Sequence, residues 1–234
     1  MKKIVTYLLI CFVSLTFSQT PGLIYQRVQG TTGQRVLDPN NDGFISLTSS
    51  GFSGTDYGAN SELKMIPLPI IQGEAAGDLT TGSSGGHTDI VSALVNGQPS
   101  NQSAYILYKT VDGIPYVIIR MRIGKASTSP KGYSFLLNTD GIFTTGSTGS
   151  NPGYDKEIVY QTGSGAVIAV YTHSGSTTTL NSQYPAEQFS QRSVALSTTN
   201  GDLDYFYDFF IPFSALGITE NPVGITAVTV TSSG

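Results

Sequence analysis

Apolar and polar residues alternate with a period of two through most of the chain beyond Asn101. Val117, Ile119, Met121 and Ile123 fall on one parity, with Arg120 and Arg122 on the other. That pattern predicts a strand buried on one face only. Tyr105-Ile106-Leu107-Tyr108 precedes it across a turn at Val111-Asp112-Gly113, so the two are expected to form a hairpin. Tyr133, Phe135 and Leu137 alternate with Ser134, Leu136 and Asn138, and Asn138-Thr139-Asp140-Gly141 closes that strand with a strong turn signal. Lys156–Gln161 and Ala166–Thr172 form a second predicted hairpin about Thr162-Gly163-Ser164-Gly165. Ser193–Ser197, Asp204–Pro212 and Gly224–Thr231 complete the series. In the most aromatic of these, Tyr205, Tyr207, Phe209 and Ile211 share a face. Phe213–Leu216 reads as a single helical turn, and no longer helical period occurs in this half. Closely spaced strands without intervening helices predict an all-β fold, an antiparallel β-sandwich of jelly-roll type.

The first hundred residues are patterned differently. Lys2 and Lys3 precede an apolar run, Ile4–Val13, with Thr16 and Ser18 placed as the small residues before a cleavage point. This is the layout of a secretory signal peptide, with cleavage expected after Ser18. The run is too short for a membrane span, which needs about 20 apolar residues. Cys11 follows Leu8-Leu9-Ile10, but Ile10 is bulky for the position before a lipidated cysteine. Residues 19–60 are rich in Gly, Thr, Ser and Asn and are expected to be irregular. Residues 61–100 mix short apolar pieces with the Gly82–Gly86 loop and predict a covering segment with one or two strands. The sandwich is assigned to residues 61–234.

Composition narrows the classes. Cys11 is the chain's one cysteine, so removal of the leader leaves no disulfide, thiol catalysis or cysteine-ligated metal. The net charge is −4, and loss of Lys2 and Lys3 makes the mature chain more acidic still. An acidic chain with few lysines and arginines lacks the electrostatic footprint of a nucleic-acid binder. No later stretch approaches a membrane-spanning length. Only 12% of residues are charged, against 13 Tyr and 11 Phe, which is the composition of a folded strand-rich chain and not of a disordered one.

Candidate chemistry is sparse. In Asp38-Pro39-Asn40-Asn41-Asp42-Gly43-Phe44-Ile45-Ser46, the side chains of Asp38, Asn40 and Asp42 can aim three oxygens at one cation. Gly43 permits the turn, and the Phe44 carbonyl and Ser46 supply the next ligands. The expected ion is calcium in a structural role. The twelfth position is Ser49, so a calcium-binding helix pair is not implied, and Asp56, Asp140 and Asp155 are candidates to complete the shell. Gly82-Ser83-Ser84-Gly85-Gly86 matches the nucleophile-elbow spelling but lacks the strand and helix that motif requires. His87 and His173 are expected in surface loops, which leaves a catalytic zinc unsupported. Asp202, Asp204 and Asp208 cluster near the aromatic strand and read as turn or rim residues. Tyr57, Tyr154 and Tyr184 are expected in loops, where binding residues collect. No enzymatic mechanism is expected.

Several segments carry a resemblance. The Asp38–Ser46 loop followed by Gly51-Phe52-Ser53 is one. The others are Tyr133-Ser134-Phe135-Leu136-Leu137-Asn138-Thr139-Asp140-Gly141, then Asn151-Pro152-Gly153-Tyr154, and Asp204-Tyr205-Phe206-Tyr207-Asp208-Phe209-Phe210-Ile211-Pro212-Phe213. Together they resemble the N-terminal domain of large surface proteins from gliding Bacteroidetes. That resemblance implies export through the type IX secretion system, adhesin-like repeats and a C-terminal sorting domain. With a strand pattern reaching almost to Gly234, it implies the N-terminal piece of a longer polypeptide at the cell surface. Ile211-Pro212-Phe213-Ser214-Ala215-Leu216-Gly217 is also similar to a late strand of family 9 carbohydrate-binding and DOMON-like sandwiches, which implies glycans as ligands. The tryptophans that clamp sugars in family 9 are absent here. Heme, bound by some DOMON domains, would need Met65, Met121, His87 or His173, and Met121 reads as core. The functional expectation is a non-enzymatic, secreted, adhesin-like surface module that binds or presents. The alternative is a carbohydrate-binding module.

Overall fold

A computed structural model describes residues 63, 65–68, 90, 94–95, 98–99, 103–111, 113–125, 130–143, 153–199 and 202–230. The expected leader, the 19–60 segment with its calcium-like loop, and residues Asp56, Tyr57 and His87 lie outside them.

Among the described residues there are twelve strands and two short helical turns. They are β1 (Ile66–Pro67), β2 (Leu94–Val95), β3 (Gln98–Pro99), β4 (Ala104–Val111), β5 (Ile114–Ile123), β6 (Gly132–Asn138), β7 (Lys156–Gln161), β8 (Val167–Ser174), β9 (Thr177–Pro185), α1 (Ala186–Phe189), β10 (Ser190–Thr199), β11 (Asp202–Pro212), α2 (Phe213–Leu216) and β12 (Gly224–Val230). One five-stranded sheet runs β1-β4-β5-β11-β10, a second runs β12-β6-β7-β8-β9, and β2 pairs with β3. Every pairing is antiparallel. The two large sheets pack face to face, which is the all-β sandwich expected from the alternation.

The main core lies between the sheets. Val117, Ile119 and Met121 from β5 and Tyr207, Phe209 and Ile211 from β11 meet Tyr133, Phe135 and Leu137 from β6, Ile158 from β7, and Ile168 and Val170 from β8. Aromatic rings cross the gap directly. Tyr133 and Tyr207 approach to 4.7 Å between centroids, and Phe135 meets the edge of Phe209 at 5.8 Å. Such pairs are favourable beyond the area they bury. Met121 is fully buried in this layer, as its parity predicts. The 213–216 turn is present as α2. Gly217 ends it in the left-handed region (φ 70°), and its N–H faces the Phe213 and Ser214 carbonyls.

The first sheet departs from expectation. From Tyr116 to Ile123 both parities of β5 are buried, so the strand is not covered on one face alone. A second apolar cluster, Leu63, Met65, Tyr105, Tyr116, Ile118, Phe206 and Phe210, covers the far side. Arg120 and Arg122, expected in solvent, are 1% and 0% exposed beneath it. The reason is tertiary: β1 pairs with β4, with Ile66 opposite Ile106 and Pro67 opposite Tyr105, which places Leu63 and Met65 over that face. Alternation alone cannot register a cap contributed from a distant upstream segment.

β9 was not among the strands read from the sequence. Its residues, Thr-Thr-Thr-Leu-Asn-Ser-Gln-Tyr-Pro, are mostly exposed. An edge strand gives little apolar signal because few of its side chains face the core. A register shift between Val170 and Tyr171 places a bulge in the β8–β9 ladder.

Candidate functional site

The principal polar constellation lies on the outward parity of the second sheet and crosses four strands. Glu157 on β7 stands opposite Tyr171 on β8, so His173 is its diagonal neighbour on the same face. His173 stands opposite Thr178 across the β8–β9 hairpin. The Ser134 hydroxyl donates to Glu157 Oε1 at 2.5 Å. Glu157 Oε2 lies 2.8 Å from His173 Nε2, and His173 Nδ1 lies 3.0 Å from Thr178 Oγ1. A carboxylate only accepts, so in the pairing of a carboxylate with a neutral imidazole Nε2 carries the proton towards Glu157. Nδ1 then presents its lone pair to the Thr178 hydroxyl. Ser134 is fully buried and His173 is 8% exposed, whereas Thr178 is exposed at the sheet edge. The chain of hydrogen bonds therefore runs from a buried residue to an exposed residue of the edge strand.

The second constellation lies on the far side of the first sheet. Asp208 pairs in register with Arg120, and Phe206 with Arg122. Arg120 Nε and Nη2 donate to the two oxygens of Asp208 at 2.6 and 2.9 Å. Arg122 Nη1 is 4.0 Å from Asp204 Oδ2. The Phe206 ring takes a guanidinium from each arginine, at 4.7 and 4.4 Å. Burial pushes the Asp208 carboxyl above the ordinary carboxylate range, opposed by the charge and hydrogen bonds of Arg120. Burial likewise lowers the Arg122 guanidinium, opposed by Tyr105 and Asp204, while Arg120 adds to the lowering. Asp204 and Asp208, read as turn or rim residues, are instead 1% exposed. They lie on one strand face, each beside an arginine, and do not face one another across a cleft as a glycosidase pair does.

A third network holds the loop after β6. Asn138 is fully buried. Its Nδ2 donates to the carbonyls of Ile142 and Gly153 at 3.0 and 2.7 Å, and its Oδ1 accepts from the Gly141 N–H at 2.8 Å. Asp155 accepts from the Thr139 N–H at 2.6 Å and from the Thr139 hydroxyl, and Asp140 accepts from the Ile142 N–H at 2.8 Å. Asp155 and Asp140, candidates to complete a calcium shell, thus serve local turns. Ile142, Phe143 and Val223 stand out from this end of the sheet, 58%, 59% and 61% exposed, and Val223 N–H is bonded to the Asn138 carbonyl.

The remaining expectations divide. Asp38, Asn40, Asp42, Phe44 and Ser46 lie outside the described residues. Among the described residues, no three His, Cys, Asp or Glu side chains form a metal-holding group, and no helix is long and apolar enough to cross a membrane. His173 is not in a surface loop but buried on β8. The hairpin built on Lys156–Gln161 set its strand so that Nε2 faces Glu157. Tyr184 is not in a loop either; it lies on β9, 4.7 Å from the Phe189 ring. Glu157, Thr178 and Ser134 escaped the sequence reading. Counting outward from Thr162–Gly165 does not find the first: it sets residue 157 opposite residue 170, whereas the ladder pairs Gln161 with Val167 and Glu157 with Tyr171, which makes His173 the diagonal neighbour.

No protein-family model, curated protein or solved structure matches the chain.

Proposed function

We propose that the chain is a non-enzymatic module of a secreted, adhesin-like cell-surface protein, acting by binding and presentation. The observation that carries this reading is how the described charges are distributed. Arg120, Arg122, Asp204 and Asp208 are directed into the fold, while the exposed edge strand β9 offers hydroxyl and amide groups without one charged side chain. An uncharged hydrogen-bonding edge suits contact with polar, neutral surface components such as glycans. The leader at residues 1–18 supports export, and the resemblance to type IX-secreted surface proteins supports passage across the outer membrane. Calcium at Asp38, Asn40, Asp42, Phe44 and Ser46 would brace the N-terminal segment. Antibody against the purified domain should label intact cells, and deletion of the gene should reduce attachment to surfaces. Antigen confined to the periplasm, with attachment unchanged, overturns the reading.

The alternative, a carbohydrate-binding module, rests on Phe143. Phe143 is an exposed aromatic residue next to Ile142, whose carbonyl Asn138 holds, and an exposed ring is what stacks on a sugar face. A glycan array on the domain should give selective hits that Phe143→Ala removes; a blank array rejects it.

A further inference from the structure

The Ser134–Glu157–His173–Thr178 chain has more order than surface hydrogen bonding requires. A hydroxyl becomes a nucleophile when a base within hydrogen-bond reach accepts its proton and a third group fixes that base. All three parts are present at 3.0 Å and 2.8 Å. Glu157 sets the imidazole tautomer, and Ser134 fixes the carboxylate through its other oxygen. Relative to the familiar serine–histidine–aspartate template the two ring nitrogens are exchanged. Proton transfer needs a correctly aimed lone pair, not a particular nitrogen. Thr178 is an exposed residue of the edge strand β9, so the site lies at the surface of the sheet and not in a cavity.

We propose that Thr178 is an acyl acceptor that reacts with carboxylic esters. Thr178 Oγ1 attacks the ester carbonyl carbon as its proton passes to His173 Nδ1. The bond to the leaving alkoxide then breaks, and the alkoxide takes that proton from His173. The products are a threonine ester and an alcohol, with nothing oxidised or reduced. Esters are the donor class because a single imidazole suffices to carry the proton to an alkoxide. The outcome is covalent attachment, which goes beyond reversible binding and stands whether or not the chain resides at the cell surface. Thr178 and His173 are the reacting groups; Glu157 and Ser134 position them.

The test uses p-nitrophenyl acetate with the purified chain at neutral pH, followed by peptide mass mapping and p-nitrophenolate release. Acetylation should appear on Thr178 about a hundredfold faster than on its exposed neighbours Thr177 and Thr179, which serve as controls in the same molecule. Thr178→Val should abolish that label and leave the melting curve unchanged, and Thr178→Ser should retain it. His173→Gln should bring Thr178 down to the rate of Thr177. Equal labelling of the three threonines, acetyl groups confined to lysines and the N-terminus, or undiminished Thr178 labelling in a folded His173→Gln protein each overturn the proposal.

Discussion

Arg120 on β5 and Asp208 on β11 stand directly opposite each other and share a two-pronged hydrogen bond of 2.6 and 2.9 Å, with side chains 1% and 2% exposed. Two opposite charges so completely withdrawn from water cost much to separate, since removing one leaves the other buried without its counterion. Asp208→Ala should destabilise the fold by about 3–5 kcal/mol. The double change Arg120→Met with Asp208→Leu should cost less than either single change. Urea unfolding of the double variant and its two single variants checks this, and additive losses would contradict it.

Tyr108 gives the clearest pH dependence. Burial pushes its hydroxyl up to about 12, above the value of about 10 it has in an unfolded chain. A group whose folded pKa is raised contributes stability below the unfolded value and loses it as pH rises through the folded one. The domain should therefore lose stability between pH 10 and 12. Allowing for the half-buried position of the ring, the loss is about 1 kcal/mol. Tyr108→Phe keeps the 6.0 Å edge contact with Phe213 and should flatten that limb in melts taken across the range.

Asn138 makes three hydrogen bonds to main-chain groups from a fully buried position. Asn138→Ala should cost about 2–4 kcal/mol, the sum of hydrogen bonds worth about 1 kcal/mol each and of carbonyls left buried. Asn138→Asp should fare no better, because a carboxylate donates nothing to the carbonyls of Ile142 and Gly153. Limited proteolysis should then cut near residues 139–143 well before the sheets.

Removal of calcium offers a separate check on the N-terminal loop. A bound ion stabilises the folded state by mass action, so a chelator should lower the melting temperature by a few degrees. Asp42→Ala should melt at that lower temperature with or without chelator. An unchanged melt rejects the site.

The alternation of Tyr133, Phe135 and Leu137, and of Tyr207, Phe209 and Ile211, made the inner faces of both sheets legible, because residues two apart in a strand share a side. The far face of the first sheet was not legible in the same way. Arg120, Arg122, Asp204 and Asp208 look like solvent-facing residues until Leu63 and Met65 arrive from a distant segment. The relay was half visible. The strand carrying Glu157 was recognised, but its partner was ended at Thr172, one residue short of His173, and the second hairpin, which sets Thr178 opposite His173, hid in an edge strand with little apolar character.

The four-residue turn α1 leads from β9, the margin of one sheet, into β10, the margin of the other. The last residue of α1, Phe189, lies 4.7 Å from Tyr184 and 5.2 Å from Phe210 between ring centroids. That side of the sandwich is stitched by covalent chain and by tilted, touching rings together, so it behaves as the spine of a book. Breathing of the two layers cannot begin there. Amides of β8 and β11 next to the spine should be among the last to exchange with deuterium, and a pulling force that splays the sheets would have to enter from another margin.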